Sequence, residues 1–346
     1  MRALILAGGK GTRLRPLTVY TPKPIVPVVN RPLILYQLEL LARVGVKDVI
    51  LSLSYQPNKI EEVVGDGSEF GVNLKFVTEP SALGTAGAVG FALDSLDEPL
   101  LVLNGDILTT LDFGRMLEFH ASRNNAITIA LAQVEDPTNY GLVTINDDFA
   151  VESFVEKPDK DGTSGSHVNT INAGVYILDP EALSLIAKGE SSSFEYDIFP
   201  KALEKKLSFS GYVLENAYWQ DIGTPASYLG ANLAILSGSA GFDLVESSDD
   251  LETSPTAFID SSTVLGTGCV VKPNARIANS VLGPGVHVEE RAVIENSVVW
   301  AHTRISTFAK MRDAVVGKGC HIGKDAELRS GSVLGDKGMV PDYSVV

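Results

Sequence analysis

Gly8, Gly9 and Gly11 fall within four positions, followed by Arg13 and by Lys23, which stands between Pro22 and Pro24. Glycine tolerates positive φ and lets another group come close to the backbone. A turn built this way points N–H groups at an anion, and the two cations extend the positive surface. The apolar run Ala3-Leu4-Ile5-Leu6 just before it predicts a buried parallel strand. A glycine loop with flanking cations at the carboxyl end of a first strand suits a triphosphate. The plainer alternative is a tight strand-to-helix turn with solvated charges. Two related motifs are excluded. The chain has no Walker-type loop, and no third glycine completes a dinucleotide fingerprint after Gly9-Lys10-Gly11.

Asp106 is the next candidate. It closes Leu103-Asn104-Gly105-Asp106, directly after the apolar run that begins at Leu100. A hard carboxylate at a strand's carboxyl end suits Mg²⁺, which takes oxygen ligands and usually bridges substrate phosphates. An Asn-Gly turn with a solvent-facing Asp is the structural alternative.

The run G-G-K-G-T-R-L-R-P-L-T-V-Y-T-P-K-P, from Gly8 to Pro24, resembles the signature of the sugar-1-phosphate nucleotidylyltransferases. Such enzymes join a nucleoside triphosphate to a sugar 1-phosphate and release pyrophosphate. The resemblance implies that Leu6, Ala7, Gly8, Gly9, Gly11, Thr12 and Arg13 hold the nucleotide. It implies that Lys23 neutralises charge near the reacting phosphates. It makes Asp106 a Mg²⁺ ligand, with Asp221 of Trp219-Gln220-Asp221-Ile222-Gly223-Thr224-Pro225 as the second carboxylate. Arg13, Lys23, Asp106 and Asp221 are then the expected catalytic set. Asp221 could instead merely support the turn into the following helix.

The same resemblance puts base and ribose near Glu79-Pro80-Ser81-Ala82-Leu83-Gly84-Thr85-Ala86-Gly87. Glu79, Gly84 and Thr85 are the expected contacts, Glu79 accepting from a guanine N1–H and amino group. Three later fragments follow the family's order on the sugar side. In Asn139-Tyr140-Gly141, Gly141 would bring backbone close to a hexose. In Phe154-Val155-Glu156-Lys157-Pro158, Glu156 would accept from hydroxyls and Lys157 would bind the sugar phosphate. In Ile171-Asn172-Ala173-Gly174, Asn172 would bond a hydroxyl. Taken singly, each fragment reads as a loop or strand edge.

The whole chain looks like the members of this family that make GDP-mannose from GTP and mannose 1-phosphate. The features are E-x-x-x-L-G-T-A-G, an E-K-P followed by I-N-A-G-V-Y-I-L, and Y-W-x-D-I-G-T-P. Glucose-1-phosphate transferases using dTTP or UTP share much of this framework, and base and sugar choice rest on a few pocket contacts. A non-catalytic regulatory subunit that binds a nucleotide sugar is a further alternative. It would be expected to lose the glycine loop, Arg13 or an aspartate, and all are present.

These residues need a scaffold. Over residues 1–238 apolar runs at Val49-Ile50-Leu51, Leu74-Lys75-Phe76-Val77 and Leu100-Leu101-Val102-Leu103 read as buried strands. Helical patterns at 32–44, 57–64 and 84–96 alternate with them, and Thr224-Pro225 reads as the N-cap and first residue of a helix over 225–236. Alternation predicts a Rossmann-like α/β fold, a mostly parallel sheet covered on both faces. Ligands bind such sheets beyond the carboxyl ends of their strands, where the candidate residues fall.

Residues 239–256 are rich in Gly, Ser and acidic residues and read as a linker. From 257 to 346 apolar residues recur every six positions from Ile259 to Val340, with steps of five at Leu282, Val299 and Val316. Two sixes and a five make seventeen, the spacing of Ala275, Ala292, Ala309 and Ala326. One coil of a three-sided parallel β-helix explains this period. The pattern resembles the hexapeptide-repeat left-handed β-helix, and the handedness comes from that resemblance. Many proteins with this solenoid are histidine-using acyltransferases, but His287, His302 and His321 belong to no acyl-donor motif and read as solvent-facing. A structural or subunit-contact role is expected. The last coil needs a cap, which a homo-oligomer interface would supply.

Composition bounds the rest. A chain of 346 residues suits two domains. A net charge of −15 argues against nucleic-acid and anionic-membrane partners, but not against a nucleotide met by a few local cations. Cys269 and Cys320 form neither a disulfide framework nor a metal-spaced pair. With no signal peptide and no span for a bilayer, a cytoplasmic location is expected.

Overall fold

The apolar runs at Val49-Ile50-Leu51 and Leu100-Leu101-Val102-Leu103 become buried strands because neighbouring strands and side chains cover both of their faces, whereas Leu74-Lys75-Phe76-Val77, expected to be buried too, is a strand with no fully buried residue because it lies at the edge of the sheet. The computed structural model describes the chain except for Asp94, Leu96, residues 157–168 and residues 244–245. Contacts divide it into two units that do not follow chain order. One is Met1–Gly9 with Ile34–Trp219, the other Lys10–Leu33 with Gln220–Val346.

In the first unit nine of the described strands form one sheet. They are β1 (Arg2–Leu6), β2 (Asp48–Leu53), β3 (Asn73–Thr78), β4 (Leu100–Asn104), β5 (Ile127–Gln133), β6 (Gly141–Ile145), β7 (Val151–Glu156), β8 (Thr170–Leu178) and β9 (Phe209–Val213). The order is β7-β6-β8-β4-β1-β2-β3, with β5 pairing both β8 and β9. The pairs β1–β2, β1–β4, β2–β3 and β5–β9 are parallel. β8 runs antiparallel to β4 and β5, and β6 with β7 is an antiparallel hairpin. The parallel half carries the segments expected on the nucleotide side and the antiparallel half those expected on the sugar side.

The helices α1 (Leu33–Arg43), α2 (Pro57–Val64), α3 (Gly84–Ala92) and α4 (Phe113–Ser122) alternate with the strands. Gly45, at φ 77, ends α1 as expected. α3 is shorter than the 84–96 pattern. Leu93 turns extended after it and is buried in the core, which ends the helix. The core is a layer of aliphatic residues with Phe194 stacked on Phe199 and Tyr176 packed at an angle against both.

In the second unit, α5 (Pro225–Leu236) is opened by Thr224 with a reciprocal Thr224–Ser227 capping box. Beyond it, short strands form three parallel sheets of six, five and five strands. Register steps are seventeen residues, as in Ile277↔Ile294↔Met311↔Leu328, and eighteen at Val315↔Val333. The inward column from Leu265 to Leu328 is buried, with the seventeen-spaced alanines at its corners. The first coil starts earlier than the pattern suggests: Leu251–Thr253 pairs with Cys269–Val271 inside the stretch read as a linker. An eighteen-residue step and flanking acidic residues hide that strand in the sequence. An amide ladder follows one corner, Asn279 donating to Asn296 and Asn296 to Asp313 at 2.9 and 3.0 Å. His287 and His302 are exposed and His321 half-buried; both cysteines are buried.

Candidate active site

In the first unit, β1 lies between β2 and β4, with Leu6 opposite both Ser52 and Asn104. Ala7 continues the ladder, its N–H donating to Ser52 O at 2.9 Å, and is buried. The chain then enters the glycine loop. A Cβ on Gly8 would lie 3.0 Å from Ser54 Oγ and 3.4 Å from Glu79 Oε1, whereas one on Gly9 would meet nothing within 4 Å. At position 8 a side chain would be tight against Ser54 and Glu79. At position 9 the glycine leaves an exposed, uncovered backbone.

Glu79 sits beside this loop, buried, with both oxygens anchored. Oε1 accepts from Ser52 Oγ at 2.8 Å and Oε2 from Leu83 N at 3.1 Å. Ser54 Oγ donates to Gly8 O. Ser52 and Ser54, which sequence reasoning passed over, therefore tie β2 to the loop and to Glu79.

Asp106 is half-buried at the turn after β4. Gly105 N–H donates to Leu6 O at 2.9 Å, and a Cβ there would lie 2.8 Å from that oxygen. Glycine is thus needed to bring the aspartate's turn against the end of β1. Gln37 fixes the other side of the turn, donating to Asn104 O at 2.8 Å and Ile107 O at 2.9 Å. Its only sequence signal is a lone carboxamide in the apolar run Leu33-Ile34-Leu35-Tyr36-Gln37-Leu38.

At α3, Gly84 has φ +77, and a Cβ would lie 2.4 Å from Ser192 O. Ala86 and Gly87 donate to that same oxygen. Thr85 Oγ1 donates to Glu195 at 3.0 Å and accepts from Phe194 N at 2.9 Å. Gly84 and Thr85 thus lock the helix start onto the segment 192–195.

Among the residues expected on the sugar side, Gly141 pairs with Glu156 across the β6–β7 hairpin, and a Cβ on it would lie 2.8 Å from Glu156 Oε2. Asn172 sits at a register shift in β8. Its Oδ1 accepts from Gly174 N and its Nδ2 donates to Tyr176 Oη, both at 2.8 Å. Tyr176 is fully buried, and burial, followed by the Glu195 carboxylate, pushes its phenol well above the ordinary value. Trp219 Nε1 donates to Ala173 O at 2.9 Å, and its ring meets Tyr140 edge-on at 5.7 Å. Lys157 lies outside the described residues.

In the second unit, Gly11 at φ 60 opens a single 3₁₀ turn, Thr12–Leu14, with Thr12 and Arg13 exposed. Thr18 Oγ1 donates to Gly11 O at 2.7 Å, and a Cβ on Gly11 would lie 3.2 Å from Lys23 Cβ. This packing draws Lys23, buried within its own 3₁₀ turn Lys23–Ile25, toward the glycine. Arg13 Nη2 lies 3.8 Å from Asp221 Oδ2. Gly223 makes room for Asp221, since a Cβ there would lie 2.5 Å from its Oδ1.

A family model described as nucleotidyl transferase matches residues 2–238, and one described as the EIF2B subunit epsilon LbH domain matches residues 245–346. The mannose-1-phosphate guanylyltransferase of Mycobacterium tuberculosis is 35% identical, covering 80% of this chain and 77% of its own. The mannose-1-phosphate guanyltransferase of Yarrowia lipolytica is 37% identical, covering 80% and 73%. A solved Bacillus anthracis structure, described as a glucose-1-phosphate thymidylyltransferase, aligns with TM-score 0.62 and 24% identity over 71% of this chain and 98% of its own, and shows the fold. A nucleotidyltransferase model matched over residues 2–238, a left-handed β-helix after it and relatives 35–37% identical over most of the chain make this chain a member of the sugar-1-phosphate nucleotidylyltransferase family of enzymes.

Proposed function

We propose that the enzyme transfers a guanylyl group from GTP to mannose 1-phosphate, giving GDP-mannose and pyrophosphate. The observation that carries this choice of substrates is the likeness over most of the chain to relatives named for that reaction. A phosphate oxygen of the sugar 1-phosphate attacks the α-phosphorus in line. A new P–O bond forms, the α–β anhydride breaks, and its electron pair leaves with pyrophosphate. A phosphate is already a nucleophile, so positioning and charge neutralisation are enough.

In this reading the loop N–H groups, Arg13 and Lys23 hold the triphosphate. Glu79, anchored by Ser52 and Leu83, sits on the base side with Gly84 and Thr85. Gly141, Glu156, Lys157 and Asn172 serve the sugar phosphate. Asp106 in the first unit and Asp221 in the second offer the oxygen donors that Mg²⁺ prefers. Among the described residues no cluster of three or more ligating side chains exists. Mg²⁺ commonly takes one or two carboxylates and completes its shell with water and substrate phosphates. When bound it would supply charge neutralisation at the phosphates. The reading also takes the enzyme as a cytoplasmic homo-oligomer; among the described residues no helix is long and apolar enough to cross a membrane.

The test is pyrophosphate release with Mg²⁺ across GTP, dTTP, UTP, ATP and CTP against mannose and glucose 1-phosphates. Release with GTP and mannose 1-phosphate alone is expected. Preference for another pair overturns the substrates and keeps the reaction class.

A further inference from the structure

The segment that carries Arg13 and Lys23 is tied to the β-helix by a chain of buried hydrogen bonds. Trp300 lies outside the inward column yet is 2% exposed. Its Nε1 donates to Tyr228 Oη at 2.8 Å, and the two rings meet edge-on at 6.3 Å. The Tyr228 hydroxyl donates onward to Pro27 O. One turn along α5, Asn232 accepts from Val29 N and donates to Tyr228 O, each at 2.8 Å. Asn30 Nδ2 reaches the β-helix directly and donates to Leu282 O at 2.8 Å. Nearer Arg13, Pro16 packs on Gly335, where a Cβ would lie 2.9 Å from the proline's own Cβ.

These bonds meet at a turn that its own sequence does not favour. Val29 at φ 45 and Asn30 at φ 62 join the short paired strands Pro27–Val28 and Arg31–Pro32. Two central residues at positive φ suit Asn or Gly, and a β-branched residue there is an outlier. Such strain persists where the surroundings over-determine it. Here α5 and the β-helix do so. Tyr228 and Asn232 are fully buried, so breaking a bond strands a polar group away from water.

We propose that the β-helix positions the triphosphate segment, with Trp300, Tyr228, Asn232 and Asn30 as positioning residues that hold the Val29–Asn30 turn and thereby Lys23. This rests on the assignment of Lys23 and Arg13 to the nucleotide made above. Relaxing the turn lets Lys23 wander from the phosphates and leaves the sugar side alone.

Tyr228→Phe keeps the ring and removes both bonds of the hydroxyl, from Trp300 Nε1 and to Pro27 O, whereas Trp300→Phe keeps an aromatic side chain and removes only the indole N–H link. In the full chain without ligand, hydrogen exchange is expected to quicken across residues 20–33. In steady state the KM for the nucleotide is expected to rise about tenfold, since small misplacements are costly in such sites, with the KM for the hexose phosphate unchanged. The double variant is expected to be no worse than Tyr228→Phe, because the links are in series. Unchanged exchange in Tyr228→Phe overturns the link. Faster exchange with both KM values unchanged, or raised equally, overturns the positioning role. Lys23→Met separates the two claims: if it spares nucleotide KM, the triphosphate assignment fails while the exchange result still decides the link.

Discussion

Arg13 and Asp221 face each other across 3.8 Å, the guanidinium 63% exposed and the carboxylate 18% exposed. A pair open to solvent on one side contributes about 0–1 kcal/mol to stability. In the proposed reading its value is to hold a cation where the triphosphate would arrive. Arg13→Met is expected to leave the thermal midpoint nearly unchanged and to raise nucleotide KM at least about tenfold, the loss of a charge-assisted contact. Calorimetry beside steady-state kinetics checks both halves. A large fall in Tm with unaltered KM would make the pair a structural one.

Asp221→Asn keeps the shape beside Gly223 and removes the charge. Turnover is expected to fall at least about a hundredfold at saturating substrates, the scale of losing one preorganised charge at a reacting centre, and excess Mg²⁺ should restore little. Near-normal turnover contradicts the metal assignment.

Gly9 and Gly105 separate two reasons for a glycine. Gly9 has open space around its would-be Cβ, while at Gly105 that atom would press on Leu6 O and Ala7 Cα at 2.8 and 3.2 Å. Gly9→Ala should therefore fold as the parent does and weaken nucleotide binding alone. Gly105→Ala must shift backbone and is expected to lose about 1–3 kcal/mol in stability together with turnover, because the displaced turn carries Asp106. Urea titrations with nucleotide binding measured in parallel distinguish the two. Equal stability losses in both variants would mean that the loop glycines serve only the turn.

Much of this was legible in the sequence. Helices at 57–64 and 225–236 and the seventeen-residue coil emerged because they depend on local period and capping, Pro57 and Thr224-Pro225 marking the starts. Contacts between distant residues were not legible. Tyr228 meets Pro27 across 201 positions and Asn30 meets Leu282 across 252, and no periodicity encodes such pairings. Gln37 likewise reads as an interruption of an apolar helix face until β4 is seen beside it. The motif order led to Glu79, but its tethering by Ser52 and Leu83 is a tertiary property.

Asn172 is presented by Tyr176. With the phenol removed, the Asn172 amide loses its 2.8 Å partner in a half-buried place. Tyr176→Phe is expected to cost about 0.5–1.5 kcal/mol for the lost hydrogen bond. It should also raise the KM for the hexose phosphate while sparing that for the nucleotide. If nucleotide KM moves instead, Asn172 does not belong to the sugar side.

The buried phenols and thiols set an alkaline limit whose sign can be worked out. Burial pushes Tyr218 up to about 12, and burial raises the thiols of Cys269 and Cys320 above their usual value. In each case the fold prefers the protonated, neutral form. Well below the ordinary thiol value of about 8.5, both folded and unfolded chains keep these protons, and the stabilising contribution is fully present. From there upward the unfolded chain loses protons that the fold retains, so it binds fewer and stability falls with pH. For Tyr218 the decline runs from about pH 10, the unfolded value, to about 12. Tyr218→Phe removes that share, so the unfolding midpoint in urea should fall less steeply between pH 10 and 11 than in the parent. The comparison of slopes cancels any constant cost of the lost hydroxyl. A variant that declines as steeply as the parent would show that Tyr218 ionises as readily in the fold as in the unfolded chain.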